Sequence, residues 1–294
     1  MKNVTESTVN LKHGETLFYR FRKGGKHTLL LLHGNMSSSA NFDVILDEFD
    51  QDFSVYAIDQ RGFGQSSYEK PADKMAHYAK DVKAFCEAMN IKRCHLLGWS
   101  FGGNVAMQVA IDYPDLVEKL ILCASGSLSG FPVEKKRFFG FISTGRYLST
   151  KAEIAKSVKP LENIRAKQKR SILKLVMFKS LYTNERPSDE SYQRYEEAFF
   201  QQRNLVDVNY ALAHFNISEL HNGVVEGNKA MHKLTLPVLI LHGKQDKIVP
   251  LSVAEAIDYY LKNTTLKVYE EASHALFNDA PALVAKDIAD FLKA

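Results

Sequence analysis

The stretch that decides the fold is Cys94–Gly103, which reads CHLLGWSFGG. It begins with a short apolar run, Cys94–Leu97, of the kind that forms a strand covered on both faces. The next five residues, Gly98-Trp99-Ser100-Phe101-Gly102, match the pattern G-x-S-x-G, and helical spacing continues to Asp112. The stretch therefore predicts a strand, a sharp turn that presents a serine, and a helix.

Outward from this turn, apolar runs and helical periods alternate along most of the chain. The predicted strands are Glu15–Arg22, Thr28–Leu32, Phe53–Ile58, Cys94–Leu97, Val117–Ala124, Leu236–Leu241 and Leu266–Tyr269. The predicted helices are Ser39–Phe49, Ala76–Met89, Gly102–Asp112, Val253–Leu261 and Ala280–Leu292. This alternation predicts an α/β fold with parallel strands and helices on both faces of one sheet. A ligand site is expected at the carboxyl ends of the strands.

Residues 128–235 interrupt the alternation. No buried strand is evident there, and long apolar residues recur at helical spacing among charged ones, as in Ile164–Phe178. We therefore predict a core domain made of residues 1–127 and 236–294, with an inserted helical cap over residues 128–235. The length of 294 residues allows such a core without disulfides or metals.

The formal net charge of +4 is unevenly distributed. Residues 128–235 contain 18 basic and 11 acidic residues, a net charge of +7, whereas the rest contains 20 basic and 23 acidic residues, a net charge of −3. The excess is largest in Arg146–Lys179, with ten basic and two acidic residues. A solvated cap surface explains it most simply, and docking of an acidic carrier protein or a membrane surface is the alternative. No nucleic-acid motif or aromatic platform accompanies the charge, so nucleic acid is not an expected partner.

Ser100 requires two partners if it is a nucleophile. A serine hydroxyl attacks efficiently only when a base takes its proton and a third group holds that base. On a strand–turn–helix of this kind the chain order is serine, acid, histidine. Asp246 follows the sixth predicted strand and His274 follows the seventh, at the edge of the sheet expected for Ser100. Asp246 is therefore the predicted acid and His274 the predicted base.

Acyl transfer also requires hydrogen-bond donors for the developing oxyanion. One predicted donor is the backbone N–H of Phe101, the residue after the serine. The other is expected from the loop after Thr28–Leu32, which reads His33-Gly34-Asn35-Met36. We predict the backbone N–H of Asn35, whose side chain is also a candidate to reach the pocket.

Taken together, these residues resemble the α/β-hydrolase fold family, and specifically its capped esterase and lactonase-like branch. The resemblance extends over nearly the whole chain and rests on His33-Gly34, the loop Asp59–Ser66, the turn around Ser100, His242-Gly243 with Asp246, and Ser273-His274. It implies a mostly parallel sheet of eight strands and a cap that covers the active site. It also implies a structural rather than catalytic role for Asp59–Ser66.

The activity implied is serine hydrolysis of a small carboxylic ester, lactone or thioester through an acyl-enzyme. Epoxide hydrolases and haloalkane dehalogenases of this family need an aspartate nucleophile, which the serine at position 100 argues against. A carbon–carbon bond hydrolase, an aminopeptidase-type amidase and a slow-turnover signalling receptor on the same fold remain alternatives. A small acyl compound is the expected partner, and oligomeric state stays open. No cofactor is expected, and the sequence contains no His-Glu-x-x-His or Cys/His cluster that would suggest a metal site.

Cysteine usage and the N-terminus bear on the compartment. The three cysteines, Cys86, Cys94 and Cys123, show no repeated spacing and are predicted to be small buried thiols rather than a disulfide framework. Met1–Asn10 is polar and lacks the apolar segment of a signal peptide. No apolar run approaches the ~20 residues of a membrane helix. We therefore expect a cytoplasmic protein without a transmembrane segment.

Overall fold

The computed structural model describes residues 4–49, 51–137 and 142–294. Its strands are β1 (Val4–Asn10), β2 (Thr16–Arg22), β3 (His27–Leu32), β4 (Phe53–Ile58), β5 (Cys94–Trp99), β6 (Val117–Cys123), β7 (Glu134–Arg137), β8 (Ile142–Tyr147), β9 (Val238–Gly243) and β10 (Thr264–Tyr269). Its helices are α1 (Asp43–Leu46), α2 (Met75–Ala88), α3 (Phe101–Asp112), α4 (Lys151–Ala166), α5 (Arg170–Ser180), α6 (Asp189–Gln201), α7 (Leu205–His214), α8 (Leu251–Tyr260), α9 (Leu276–Asp279) and α10 (Pro281–Lys293).

Eight strands form one sheet in the order β1-β2-β4-β3-β5-β6-β9-β10. Within this sheet, β1–β2 and β2–β4 are antiparallel. The other pairs, β4–β3, β3–β5, β5–β6, β6–β9 and β9–β10, are parallel. The carboxyl ends of β3, β5, β6, β9 and β10 therefore meet at one edge. The prediction of a mostly parallel, eight-stranded α/β-hydrolase sheet is confirmed.

The sheet is covered on both faces, because its central strands contain continuous buried apolar runs such as Leu29–Leu32. In β3, Leu30 and Leu32 join one apolar cluster, whereas Leu29 and Leu31 join a second one on the opposite face. Helices α2, α3 and α8 contribute to the first cluster, and α1, α9 and α10 contribute to the second. This confirms the expectation that continuous apolar runs mark strands buried between two layers of helices.

Two parts of the body differ from the sequence-based expectation. Strand β1 was not predicted because its residues are polar and mostly exposed, and it owes its place to the antiparallel ladder with β2. The predicted helix Ser39–Phe49 is a short 3₁₀ turn at Ser39–Phe42 followed by α1. Ser38 starts that turn with a capping box. The Ser38 hydroxyl oxygen accepts from Ala40 N at 3.3 Å, and the Asn41 side-chain oxygen accepts from Ser38 N at 3.1 Å.

Residues 128–235, called the insert below, lie between β6 and β9 in the chain. The insert contains helices α4 to α7, and it also contains the antiparallel pair β7–β8, which the sequence did not predict. Leu173, Tyr195 and Phe199 of the insert belong to the same apolar cluster as Phe42 and Phe277 of the body. Insert and body thus share apolar core, and their division into two domains stays a prediction.

Two further expectations concern cysteines and membrane segments. Cys86, Cys94 and Cys123 are all buried and form no disulfide, as predicted. Among the helices of the described residues, none is long and apolar enough to span a bilayer.

Candidate active site

Ser100 lies on the turn between β5 and α3 in a backbone conformation that residues other than glycine rarely adopt, with φ 56° and ψ −121°. Such backbone geometry costs on the order of 1–3 kcal/mol and persists only where its surroundings fix it. Here the Ser100 N–H donates to the Cys123 carbonyl at 3.0 Å, and the Ser100 carbonyl accepts from Gly103 N at 2.8 Å and Gly126 N at 3.2 Å. The strained turn is therefore held by the end of β6, the loop that follows β6 and the first turn of α3.

The glycines of the G-x-S-x-G pattern are required by close backbone contacts. A Cβ on Gly98 would collide with the carbonyl of Gly102, and a Cβ on Gly102 would collide with the carbonyl of Leu32. The first turn of α3 therefore packs directly against the ends of β3 and β5. This packing explains why the spacing of the motif predicts the local structure.

His274 and Asp246 meet at the same edge of the sheet. The ring Nδ1 of His274 lies 2.7 Å from Asp246 Oδ2, and the two side chains are only 3% and 0% exposed. The other carboxylate oxygen of Asp246 accepts from Ile248 N at 2.7 Å and from Val249 N at 2.9 Å. In this arrangement Nδ1–H donates to Asp246, which leaves Nε2 of His274 as the acceptor-competent nitrogen.

The charge of Asp246 follows from its contacts. Burial raises the pKa of this carboxyl, but the hydrogen bond and positive charge of His274, together with the N–H groups of Val249 and Ile248, outweigh burial and bring the pKa below its ordinary value. Asp246 is therefore ionised across the neutral range. An ionised carboxylate at Nδ1 stabilises a positive imidazole ring.

Trp99, the residue before the serine, connects the turn to the histidine loop. Its indole Nε1 donates to the carbonyl of His274 at 3.0 Å, and the two ring centroids are 5.7 Å apart. No role for this tryptophan was predicted from the sequence. Its position at the end of β5, directly before Ser100, was the available signal.

His242 lies next to the pair but is used differently. Its Nε2 is 2.9 Å from the carbonyl of Val249 and 3.6 Å from Asp246 Oδ2. Burial lowers the pKa of this fully buried imidazole, so it is neutral at pH 7. His242 therefore fixes the turn that presents Asp246.

The loop His33–Met36 is clamped from inside the protein. The Nδ1–H of His33 donates to the Gly34 carbonyl at 2.7 Å, while Gln60 N donates to its Nε2 at 3.0 Å. The Ser37 hydroxyl also donates to the Gly34 carbonyl, at 2.7 Å. Because C=O and N–H point in opposite directions across a trans peptide, the N–H of Asn35 points away from this clamp.

The two predicted oxyanion donors lie beside Ser100. Asn35 and Phe101 both line the cavity that contains Ser100, and within the described residues neither backbone N–H donates to an acceptor. For Phe101 this is expected, since it is the first residue of α3. The side-chain oxygen of Asn35 is occupied, because it accepts from Met36 N at 3.0 Å and from Gln202 Nε2 of the insert at 2.8 Å.

The loop Asp59–Ser66 lies outside the lining of this cavity. Asp59 accepts from Ser39 N at 2.7 Å through one oxygen and from Gln65 N at 2.9 Å through the other. Arg61 forms a buried ion pair with Asp81. These contacts agree with the structural role that the sequence implied.

The cavity has a volume of about 220 Å³ and is enclosed by both the body and the insert. Its apolar lining consists of Met36, Trp99, Phe101, Phe131, Leu161, Leu173, Val176, Met177, Leu181, Leu212, Ile248 and Val249. Among its described lining residues there is no Lys, Arg, Asp or Glu, and His274 is the one ionisable group. The described residues contain no group of three or more His, Cys, Asp or Glu side chains placed to hold a metal ion.

A strained serine turn at the carboxyl edge of a mostly parallel sheet, with a histidine–aspartate pair beside it, defines the class of fold. A family model for the α/β hydrolase fold matches residues 27–281, and the chain belongs to that family.

Three individual proteins that resemble this chain share between 20% and 26% of their aligned residues with it. The hydrolase YugF of Bacillus subtilis is 26% identical over 285 residues, covering 95% of each chain. The 2-hydroxymuconate semialdehyde hydrolase of a Pseudomonas species is 26% identical over 277 residues, covering 92% of this chain and 88% of that protein. The solved structure of an esterase from Exiguobacterium antarcticum superposes with a TM-score of 0.76 at 20% identity, over 99% of this chain and 100% of that one.

Proposed function

We propose that this protein is a serine hydrolase that cleaves carboxylic esters with an apolar acyl group. The observation that carries the proposal is the His274–Asp246 hydrogen bond of 2.7 Å beside a cavity that Ser100 also lines. The bond sets the tautomer in which Nε2 of His274 can accept a proton. The strained turn presents the Ser100 hydroxyl to the same space.

The mechanism follows from these positions. Ser100 Oγ attacks the ester carbonyl carbon while His274 Nε2 takes the hydroxyl proton, and Asp246 stabilises the resulting imidazolium. The N–H groups of Asn35 and Phe101 donate to the oxyanion. His274 then protonates the departing alkoxide, and a water molecule deprotonated by the same histidine releases the acid from Ser100.

The chemistry of the cavity favours an ester over a carbon–carbon substrate. The muconate named for the Pseudomonas relative is a carboxylate, and burying an anion is costly unless a cation pairs with it. No Lys or Arg side chain lines the cavity within the described residues. A neutral ester with an aliphatic or aromatic acyl group has no such requirement.

We further propose that the insert acts as the cap of this site. Three helices of the insert line the cavity, through Leu161 of α4, Leu173 and Met177 of α5, and Leu212 of α7. Removing water from the cavity strengthens the hydrogen bonds that stabilise the oxyanion. The same side chains would set the acyl-chain length.

The test is turnover of p-nitrophenyl esters from acetate to octanoate by the wild type and by Ser100→Ala. The variant is expected to lose about 10⁶-fold in kcat, as when a serine protease loses its nucleophile. Ser180→Ala, a change in another serine that lines the cavity, is the matched control and retains activity. Activity of Ser100→Ala within a few-fold of wild type contradicts the proposal.

The same series separates the enzyme from a signalling receptor on this fold. Multiple rapid turnovers of at least one ester support the hydrolase. A single slow acylation without turnover favours the receptor instead.

A further inference from the structure

Helix α5 of the insert has an apolar face that the rest of the described protein leaves uncovered. Leu173 and Met177 point inward and are almost fully buried. Ile172, Leu175 and Val176, by contrast, are 44%, 55% and 39% exposed. Because these three residues are spaced i, i+3 and i+4, they form one patch on the helix surface.

This patch borders the opening of the active-site cavity. Val176 is exposed and also lines the cavity. Phe131, which is 45% exposed, lines the cavity as well. The exposed side chains Phe131, Ile172, Leu175 and Val176 are called the mouth patch below. The mouth patch is therefore continuous with the cavity lining at Phe131 and Val176.

Lysines flank the α5 part of the mouth patch at both ends of the helix. Lys179 follows Leu175 and Val176 by one helical turn on the same side of α5, and Lys169 is the residue that precedes the helix. Five of the ten basic residues of Arg146–Lys179 form no ion pair within the described residues, and all five are exposed: Lys156, Lys159, Lys167, Lys169 and Lys179. The local charge is therefore not neutralised by neighbouring carboxylates.

We propose that the mouth patch and its lysines dock the protein peripherally on an anionic lipid surface. Exposed aliphatic side chains on a helix suit the boundary between headgroups and acyl chains, and each nearby lysine adds attraction to anionic headgroups. The four side chains of the mouth patch, three on α5 and Phe131 between β6 and β7, are far from the ~800 Å² per partner of a stable protein interface. An acidic carrier protein fits the charge but leaves the aliphatic residues without a partner.

Docking itself requires no chemistry at Ser100, so it is tested with full-length Ser100→Ala protein. Co-sedimentation is measured with phosphatidylcholine vesicles that contain or lack phosphatidylglycerol. We expect binding to the anionic vesicles that weakens as salt is raised. Lys169→Gln/Lys179→Gln should reduce the partition coefficient by roughly 25-fold, since each lysine contributes about fivefold. Ile172→Ser/Leu175→Ser should reduce it at least about tenfold.

Matched controls lie elsewhere on the surface. Leu283 on α10 is 51% exposed, close to the exposure of Leu175, and Lys262 is an exposed lysine without an ion pair within the described residues. Leu283→Ser and Lys262→Gln should leave vesicle binding unchanged. Equal losses in the controls, or absence of binding to anionic vesicles, overturn the proposal. So does capture of an acidic protein by the patch without any vesicle binding, or a change of oligomeric state in Ile172→Ser/Leu175→Ser.

The consequence for catalysis rests on the proposed function and is measured separately. Ile172→Ser/Leu175→Ser should hydrolyse a water-soluble short ester like the wild type but lose at least about tenfold on an ester carried in anionic vesicles. Equal rates of both proteins on the vesicle-borne ester overturn the link between docking and substrate access. Failure of the wild type on every soluble ester contradicts the hydrolase instead, and leaves the vesicle-binding result standing.

Discussion

His274 Nδ1 and Asp246 Oδ2 are 2.7 Å apart, although the two residues are separated by 28 positions in the chain. The sheet explains their meeting. Strands β9 and β10 are parallel neighbours, and Gly243 pairs with Tyr269 at their carboxyl ends. Asp246 lies three residues beyond Gly243, and His274 lies five residues beyond Tyr269. Two short loops from adjacent strand ends therefore place Asp246 against His274.

Asp246→Asn should abolish most activity without unfolding the protein. An amide at this position cannot hold His274 in the tautomer that leaves Nε2 free to accept a proton. We expect kcat for the best ester to fall by about 10⁴-fold, as in serine proteases that lose the orienting aspartate. Glu270→Gln, an exposed carboxylate beside the same loop, is the matched control and should keep its rate. Less than a tenfold loss in Asp246→Asn contradicts the role of this residue.

Gln202→Met should lower kcat more than it changes KM. Gln202 is buried, and its Nε2 donates to Asn35 Oδ1 at 2.8 Å and to Asn204 Oδ1 at 3.0 Å. Without the first bond the Asn35 loop loses an anchor, and a misplaced oxyanion donor acts mainly on the transition state. We expect roughly a tenfold loss in kcat with KM within about twofold.

The control for Gln202 is another amide that joins the insert to the body. Asn184 Nδ2 donates to the Glu271 carbonyl at 2.5 Å, and Asn184 does not line the cavity. Asn184→Leu should therefore leave kcat unchanged. If Gln202→Met raises KM alone, or if both variants lose the same activity, Gln202 does not position the oxyanion loop.

Gly34→Ala should impair the reaction through a steric contact. A Cβ on Gly34 would lie 3.1 Å from Ser100 Cβ and 3.6 Å from Ser100 Oγ. Ser100 must then shift by a few tenths of an ångström. A displacement of this size uses most of the about 0.5 Å within which reacting groups must be held. We expect kcat to fall about tenfold with little change in the thermal midpoint. Wild-type kcat would show that the turn around Ser100 is less constrained than the structure indicates.

Asp43 should make stability depend on pH. Burial raises the pKa of this carboxyl to about 6, against the opposing charges of Arg20 and Arg194, with Glu6 adding to the rise. The folded state then holds a proton that the unfolded state has lost between about pH 4 and pH 6. The contribution of Asp43 to the free energy of unfolding therefore decreases as pH rises through this window, by roughly 3 kcal/mol in total.

Asp43→Asn lacks this titration, so the comparison isolates it. The free energy of unfolding of the wild type minus that of Asp43→Asn should fall by roughly 2.4 kcal/mol between pH 4 and pH 7 in urea titrations. A difference that is flat, or that grows with pH, would show that Arg20 and Arg194 hold Asp43 ionised in the folded state.

The sheet was predictable because burial on both faces leaves continuous apolar runs such as Leu29–Leu32. Strand β1 escaped prediction because a mostly exposed, polar edge strand carries no such signal. The pair β7–β8 was not predicted because Glu134–Arg137, which reads EKKR, has no apolar run. Backbone pairing determines both elements, and a single sequence does not display pairing.

The candidate site was predictable as far as chain order and strand ends determine it. Ser100, Asp246 and His274 follow strands whose carboxyl ends share one edge, so the topology alone brings their loops together. The bond between Gln202 and Asn35 spans 167 positions and depends on how the insert folds back. The mouth patch could not be predicted from the sequence, because helical spacing shows that α5 is amphipathic but does not show which of its apolar residues the body covers.

The role of Ser100 as a nucleophile is tested most directly by labelling the wild-type protein with a fluorophosphonate and mapping the adduct by mass spectrometry. Such reagents phosphonylate a serine whose proton is taken by an adjacent base. We predict one adduct per chain, on Ser100, with labelling strongly slowed in His274→Ala. An adduct on a different residue, or no adduct in protein that still hydrolyses esters, would contradict the assignment of Ser100 as the nucleophile that His274 and Asp246 activate.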